Sequence, residues 1–111
     1  MSEPCFDEVI HAPNRLQICT MLAAVETMAF ATLRDSLGVS DSVLSKHLKV
    51  LQSAGYLDVT KARGASYPRT WVALTPEGRR AFRGHIAELR RIVEMGDAAQ
   101  SGPADPVPNS E

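Results

Sequence analysis

The sequence is poor in the residues that build large cores or covalent frameworks. Its 111 residues include three Phe, two Tyr and one Trp, so aliphatic side chains must supply most of one modest core. Two cysteines are too few for a disulfide framework. No apolar run approaches the roughly 18 residues of a membrane-spanning helix, and the acidic start MSEPCFDE does not resemble a secretory signal. We therefore expect a cytoplasmic protein without a membrane partner.

Catalytic and metal-binding patterns are also missing from the sequence. No motif pairs a nucleophile with a base, and no glycine-rich loop suits a phosphate. The cysteines and histidines lack the spacing of metal ligands; they are Cys5, Cys19, His11, His47 and His85. We expect no enzymatic activity, no cofactor and no metal. A thiol switch between the two cysteines remains an alternative, although Cys19 is more typical of a small core residue.

The net charge of −1 hides an uneven distribution of charge along the chain. Residues 1–41 carry −4, residues 42–91 carry +7 and residues 92–111 carry −4. Contact with phosphates depends on a local basic surface, because overall charge says nothing of where the cations lie. The middle of the chain is therefore the candidate surface for nucleic acid.

The stretch VLSKHLKVLQSAGYL, residues 43–57, has the pattern of a helix with two different faces. Leu44, Leu48 and Leu51 recur at helical spacing and are predicted to pack into the core. A second face carries small and basic side chains: Ser42, Ser45, Lys46 and Lys49. Lysine contacts phosphate readily, and serine lets a helix approach base edges closely. A merely solvated face is the alternative interpretation.

A short helix and a tight turn precede this segment and favour DNA over the solvated face. Leu33 and Leu37 are predicted to face the core. Gly38 suits the left-handed residue that ends a helix, and Ser40 suits the N-cap of the next one. The two helices and their turn form a helix-turn-helix, whose second helix would enter the major groove of duplex DNA.

A hairpin with a basic loop follows. Leu57 and Val59 alternate with polar residues, as do Val72 and Leu74, so each strand is predicted to have one buried face. The connecting segment, residues 61–69, contains a glycine and several groups suited to the DNA backbone or a narrow minor groove. These candidates are Lys61, Arg63, Ser66 and Arg69. A solvated hairpin tip is the alternative.

The last helix carries an apolar stripe. Thr75 supplies a capping hydroxyl, and Pro76 suits the first helical position. The stripe follows a 4-3-4 spacing through Phe82, Ile86, Leu89 and Val93. It predicts a helix–helix seam in a homodimer, although burial within one monomer is compatible with the same pattern. Residues 96–111 have too little apolar content to fold, so we expect a domain over 1–95 and a disordered acidic tail over 96–111.

Three segments resemble known regulators. The stretch SKHLKVLQSAGYL resembles the recognition-helix segment of arsenical-repressor-type and multiple-antibiotic-resistance-type regulators. DEVIHAPNRLQICTML and PRTWVALTPEGRRAF resemble a family of short, stand-alone bacterial and archaeal winged-helix proteins, with the similarity covering roughly residues 6–95. The resemblance implies dimers that bind duplex DNA through residues 42–49 and 61–69. Metal-sensing members carry a cysteine pair in the helix before the turn, where this chain reads ATLRD, so metal sensing by that route is unsupported.

The sequence thus predicts a mainly α protein with a small β-hairpin (α+β), a winged helix-turn-helix. We expect a transcriptional regulator that binds a pseudo-palindromic site on double-stranded DNA as a homodimer. Of the two directions of regulation, we favour repression. A winged-helix module for protein–protein interaction without DNA binding is the alternative. An unidentified small-molecule effector, in a pocket between the dimerising helices and the winged domain, also remains open.

Overall fold

The structure, a computed structural model, describes residues 3–62 and 69–101, with side chains as far as residue 99. Within these residues, five helices and three short strands follow one another in the order α1 (Glu8–His11), α2 (Pro13–Ala23), β1 (Met28–Ala29), α3 (Phe30–Leu37), α4 (Asp41–Ser53), β2 (Leu57–Ala62), β3 (Arg69–Leu74) and α5 (Pro76–Ser101). The predicted class, mainly α with a small antiparallel sheet, is confirmed. No helix in this part of the chain is both long and apolar enough to cross a membrane.

Local signals in the sequence set the helix ends. Gly38 adopts a left-handed φ of 69° where α3 ends, as predicted, because it has no Cβ to oppose that conformation. Ser40 caps α4, its hydroxyl oxygen accepting a hydrogen bond from the Val43 amide at 3.2 Å. Thr75 caps α5 in the same way, accepting from the Gly78 amide at 2.9 Å. The turn of the helix-turn-helix is therefore encoded locally.

The sheet adds a third, two-residue strand to the hairpin. The hairpin of β2 and β3 is antiparallel, with Val59 opposite Val72 and Leu57 opposite Leu74. The additional strand β1 pairs with the other edge of β3, placing Met28 opposite Val72. Two residues are too few to show an alternating pattern, so β1 exists only through its hydrogen bonds to β3.

The core lies between the sheet and the first four helices. The predicted inner face of α4 is confirmed, since Leu44, Leu48 and Leu51 are buried. They pack in one cluster with residues from the other elements: Ile10, Ile18, Cys19, Leu22, Leu33, Leu57, Val72 and Leu74. Burying such side chains contributes roughly 1.5–3 kcal/mol each. The opposite face of α4 is therefore held outward by its leucines.

Helix α5 is longer than expected. Disorder was predicted from Gly96 onward, whereas α5 runs to Ser101, so residues 96–101 are helical instead; the domain boundary at residue 95 stays a prediction. The segment Ala98-Ala99-Gln100 consists of good helix formers, and it extends a helix that is already nucleated. Low apolar content argues against a packed core but not against an exposed helical extension. Residues 102–111 of the predicted tail lie outside the described residues.

The first turn of α5 is packed closely against the turn between α4 and β2. A Cβ at Gly78 would lie 2.2 Å from the carbonyl oxygen of Tyr56, a distance that only glycine permits. The same carbonyl accepts a hydrogen bond from the Thr75 amide at 3.0 Å. Arg79 donates to the carbonyl oxygens of Ala23 and Val25 at 3.3 and 2.8 Å, closing the end of α2. α5 thus begins at a point fixed to the end of α2 and to the turn after α4.

Candidate nucleic-acid interface

The outer face of α4 presents the small and basic side chains selected from the sequence. Ser42, Ser45, Lys46 and Lys49 are all exposed. They lie opposite the buried leucines because an α-helix places residues three and four apart on one side. Their face is therefore free to approach a macromolecule without disturbing the core.

A groove between α4 and the hairpin brings part of this face together with the wing. It has a volume of about 540 Å³ and is lined by Phe30, Asp41, Ser45, Leu48, Lys49, Gln52, Val59, Lys61 and Thr70. Three of the predicted site residues, Ser45, Lys49 and Lys61, thus share one groove. Helix and strand present cations to the same concave surface, which suits a polyanion.

Sequence reasoning missed two polar side chains in this groove. Gln52 lies seven residues after Ser45, so the same helical spacing that selected Ser45 and Lys49 extends to it. Thr70 lies directly opposite Lys61 in the hairpin register. The helical spacing of the Ser/Lys face could have indicated Gln52 from the sequence. Thr70 could be placed in the groove only once the pairing of β2 with β3 was known.

The wing is described only at its base. Lys61 on β2 and Arg69 on β3 are exposed, and Ala62 is the residue opposite Arg69. The predicted contacts Arg63 and Ser66 lie outside the described residues. The two basic residues that are described flank the hairpin tip from both strands.

One acidic residue in the groove is neutralised by a neighbouring arginine. Arg34 of α3 forms ion pairs with Asp41 and Asp35, each at 3.0 Å. Hydrogen bonding to Asp41 and then to Asp35 raises the pKa of the Arg34 guanidinium. Because Asp41 is paired, its repulsion of an approaching phosphate is reduced.

His47 connects α4 to α2 and does not lie with the exposed lysines. Its Nδ1 is 3.5 Å from Nη1 of Arg15, and its Nε2 is 3.3 Å from the side-chain amide of Asn14. Burial, followed by the positive charges of Arg15 and Lys46, lowers the pKa of the imidazole. The neutral ring therefore helps fix the position of α4.

The apolar stripe of α5 is covered at one end and exposed at the other. Phe82 packs against the core, and Ile86 and Leu89 are half-buried. Beyond them, Ile92, Val93 and Met95 are 46%, 62% and 58% exposed. Shallow grooves run along this helix, one of about 640 Å³ lined by Pro4, Phe82, Arg83, Ile86, Ala87, Arg90, Arg91 and Glu94. Such a cluster of exposed aliphatic side chains is typical of an interaction surface.

The two cysteines differ in their surroundings. Cys19 is fully buried, and desolvation followed by the negative charge of Asp7 raises its pKa to about 12. It is therefore an unreactive core thiol at neutral pH. Cys5 is exposed. Within residues 3–62 and 69–101, no three His, Cys, Asp or Glu side chains lie close enough together to hold a metal ion.

Comparison with known proteins identifies the family. Residues 14–93 match the model of the winged helix DNA-binding domain. The chain belongs to this family. The match includes the helix-turn-helix, both strands of the hairpin and most of α5, and it agrees with the sequence-based resemblance to winged-helix regulators.

Individual relatives extend this result to the whole fold. An uncharacterized protein of Methanocaldococcus jannaschii is 27% identical over 85 residues, which cover 77% of this chain and 92% of that protein. A transcriptional regulator homologue from Pyrococcus horikoshii OT3 superposes with a TM-score of 0.78 at 24% identity, covering 82% of this chain and 90% of that one. The zinc-responsive MarR family member ZitR of Lactococcus lactis gives a TM-score of 0.60 at 21% identity, covering 89% and 68%. Family and fold together support a DNA-binding regulator.

Proposed function

We propose that this winged-helix protein is a transcriptional repressor that binds a pseudo-palindromic site on duplex DNA as a homodimer. The observation that carries the proposal is the groove shared by Ser45 and Lys49 of α4 and Lys61 of the wing. An interaction module would need no cations converging from two separate elements. Phosphates, one negative charge for every 1.7 Å or so of duplex, match such a surface.

The two elements would have different tasks. α4 is held by its buried leucines so that Ser42, Ser45, Lys46 and Lys49 point outward, and it would lie in the major groove. There the serines would approach base edges, and the lysines would contact phosphates or guanine. Lys61 and Arg69 would place the wing against the backbone or minor groove, supplying mainly sequence-independent affinity.

Dimerisation would use the last helix. The exposed Val93 continues the stripe of half-buried Ile86 and Leu89, with exposed Ile92 at its flank, and a second copy would cover this face. A two-fold axis through such a seam presents the same patch on both subunits. Two recognition helices about 34 Å apart would then face successive major grooves on one side of the duplex. A dimer bound in this way blocks other proteins from the same stretch of DNA, and for this reason we assign repression.

Selection of DNA fragments by the purified chain tests the proposal. Genomic fragments are captured at near-physiological salt and sequenced, with Lys46→Ala/Lys49→Ala as the matched control. Enrichment of an inverted repeat with half-sites about 10 base pairs apart, lost in the control, is the expected result. No enrichment over the control, from protein that is folded and dimeric, would favour the interaction module instead. Reporter expression from an enriched site, with and without the protein, distinguishes repression from activation.

A further inference from the structure

His85 is a buried polar residue in an otherwise aliphatic interior. It lies on α5 and is fully inaccessible to solvent. Its Nδ1 accepts a hydrogen bond from the backbone amide of Asp7 at 3.0 Å. Its Nε2 lies 3.0 Å from Nδ1 of His11, which is on α1. Both ring nitrogens are therefore engaged by the N-terminal part of the chain.

These two hydrogen bonds determine where the protons of the histidine pair lie. A backbone amide can only donate, so Nδ1 of His85 carries no proton and Nε2 must carry it. The Nε2 proton is then donated to His11, whose Nδ1 must in turn be the acceptor. A proton added to either Nδ1 would bring two donors face to face. Neither ring can become charged in this arrangement without breaking one of the two hydrogen bonds.

The histidine pair holds the segment of residues 3–7, which we call the N-terminal strap, against α5. The Cys5 amide donates to the carbonyl oxygen of Gly84 at 2.9 Å. A Cβ at Gly84 would lie 3.1 Å from the carbonyl oxygen of Glu3, so glycine permits this close approach. The ring of Phe6 lies 4.7 Å from that of His11 and 4.8 Å from that of His85. The strap is therefore held along α5 by the histidine pair, by the Cys5–Gly84 hydrogen bond and by the Phe6 ring.

The charged and titratable groups around the pair come from several elements. Asp7 on the strap and His11 on α1 act on His85 directly. The Asp7 carboxylate is in turn hydrogen-bonded to Tyr56, and Glu77 and Cys5 lie close enough to act on Tyr56. Arg15 of α2 donates to the Val9 carbonyl of α1 nearby. The Asp7 carboxylate favours a charged imidazole, but burial and the neighbouring His11 oppose it more strongly and lower the pKa of His85.

The strap also reaches the recognition helix. Asp7 accepts a hydrogen bond from the hydroxyl of Tyr56, which lies in the turn between α4 and β2 and whose amide donates to the Leu51 carbonyl of α4 at 3.0 Å. One residue of the strap thus contacts α5 through its amide and the turn after α4 through its carboxylate. Loosening the strap removes a connection between the helix proposed to dimerise and the helix proposed to read DNA.

We propose that the His11–His85 pair is a proton-operated latch, whose protonation in mildly acidic solution releases the N-terminal strap from α5 and lowers the affinity for DNA. The second half of this statement rests on the proposed function. Added protons make the protein more positive, which by itself would strengthen DNA binding. A loss of affinity on acidification therefore has the opposite sign to the general electrostatic effect.

Amide hydrogen exchange tests the latch without DNA. At about pH 7.5 the Asp7 amide should be protected; at about pH 5.5 its protection, corrected for intrinsic exchange, should fall by about tenfold or more. His11→Asn keeps an acceptor near the position of Nδ1 and cannot be charged. Release in that variant should shift to lower pH, because His85 itself must then take the proton. Unchanged protection at about pH 5.5 in the native chain, or identical loss in His11→Asn, would overturn the latch.

DNA binding at the same two pH values and constant salt tests the consequence. The native chain should lose about tenfold in affinity on acidification, and His11→Asn should lose clearly less. His47→Gln is the matched control, because His47 is a titratable ring on α4 itself and lies outside the histidine pair. A pH response that persists in His11→Asn but vanishes in His47→Gln would contradict the proposal. Absence of DNA binding at both pH values would refute the proposed function alone, since hydrogen exchange still decides whether the latch exists.

Discussion

The hydroxyl of Tyr56 donates a hydrogen bond to the carboxylate of Asp7, 49 residues earlier in the chain. The other carboxylate oxygen caps α1 by accepting from the Ile10 amide at 3.1 Å. The bond to Asp7, followed by burial, raises the pKa of Tyr56 to about 12, so the phenol stays protonated and remains a donor. A single short side chain thus joins the N-terminal strap, α1 and the turn between α4 and β2.

Tyr56→Phe should measure the strength of this connection. It leaves a half-buried carboxylate oxygen without its donor, which should lower the free energy of unfolding by about 1–3 kcal/mol in urea titrations. Thr20→Ala is the control, since it removes an exposed hydroxyl bonded only to the Leu16 carbonyl at 2.8 Å. Equal, small losses in both variants would contradict a structural role for the Tyr56–Asp7 bond.

The lysines of α4 should set the salt dependence of DNA binding. If Lys46 and Lys49 both contact phosphates, replacing both with alanine should reduce the slope of log affinity against log salt by about 2. Lys46→Arg/Lys49→Arg keeps both charges and should retain most of the slope. The measurement is a series of fluorescence-anisotropy titrations at several salt concentrations. An unaltered slope and affinity in the alanine variant would remove these residues from the interface.

The base of the wing should contribute affinity more than specificity. Lys61→Ala/Arg69→Ala should weaken binding to the selected site and to random duplex by similar factors, because the hairpin is proposed to meet the backbone or minor groove. Competition titrations with both duplexes give the two factors. A loss confined to the selected site would mean that the wing reads bases directly.

Leu89→Glu should dissociate the proposed dimer. A carboxylate in the middle of the apolar stripe would be desolvated by the partner helix, at a cost of several kcal/mol unless it is paired. Ala98→Glu adds the same charge at an exposed position of α5 and should remain dimeric. Sedimentation velocity at micromolar concentration distinguishes the two states. A native chain that sediments as a monomer would refute the α5 seam.

The stability of the fold should fall on the acid side of neutrality. In the folded chain, burial lowers the pKa of His85 below its ordinary value of 6.5. Just below that pH, His85 therefore binds a proton in the unfolded chain but remains neutral in the folded chain. The free energy of unfolding is therefore at its full value above about pH 6.5 and decreases as pH falls below it, by at most about 1.4 kcal/mol per pH unit for each such histidine. His47, also shifted downward, adds an effect of the same sign.

Urea unfolding between about pH 7.5 and about pH 5 measures this dependence. His85→Gln should flatten the profile more than His47→Gln, because His85 is fully buried and both of its ring nitrogens are engaged. A native profile that is flat over this range would contradict the assignment of a neutral His85.

Features encoded by neighbouring residues could be predicted from the sequence. Gly38, Ser40 and Thr75 act within a turn of their own positions, and the leucines of α4 show their burial through helical spacing. The exposed Ser/Lys face follows from the same spacing. These local rules were sufficient to place the helix-turn-helix and the hairpin.

Features that depend on distant contacts could not be predicted. His85 meets His11 and Asp7 across 74 and 78 residues, and no spacing in the sequence marks that encounter. β1 is defined only by its pairing with β3. The groove required the strand register to bring Thr70 and Lys61 beside α4. The end of α5 was also predicted too early, because a low content of apolar residues indicates little burial but says nothing of helix propensity.

The contact of Gly78 with the Tyr56 carbonyl has a mechanical consequence. With no side chain between them, the first turn of α5 and the turn between α4 and β2 cannot slide past each other without breaking backbone contacts. A tilt of α5 would therefore displace Tyr56, whose amide is bonded to the Leu51 carbonyl of α4 at 3.0 Å. In a dimer joined through α5, a few degrees at the seam would change the distance between the two recognition helices. The permitted length of the DNA spacer would then be set far from the bases, at the packing angle of the two last helices.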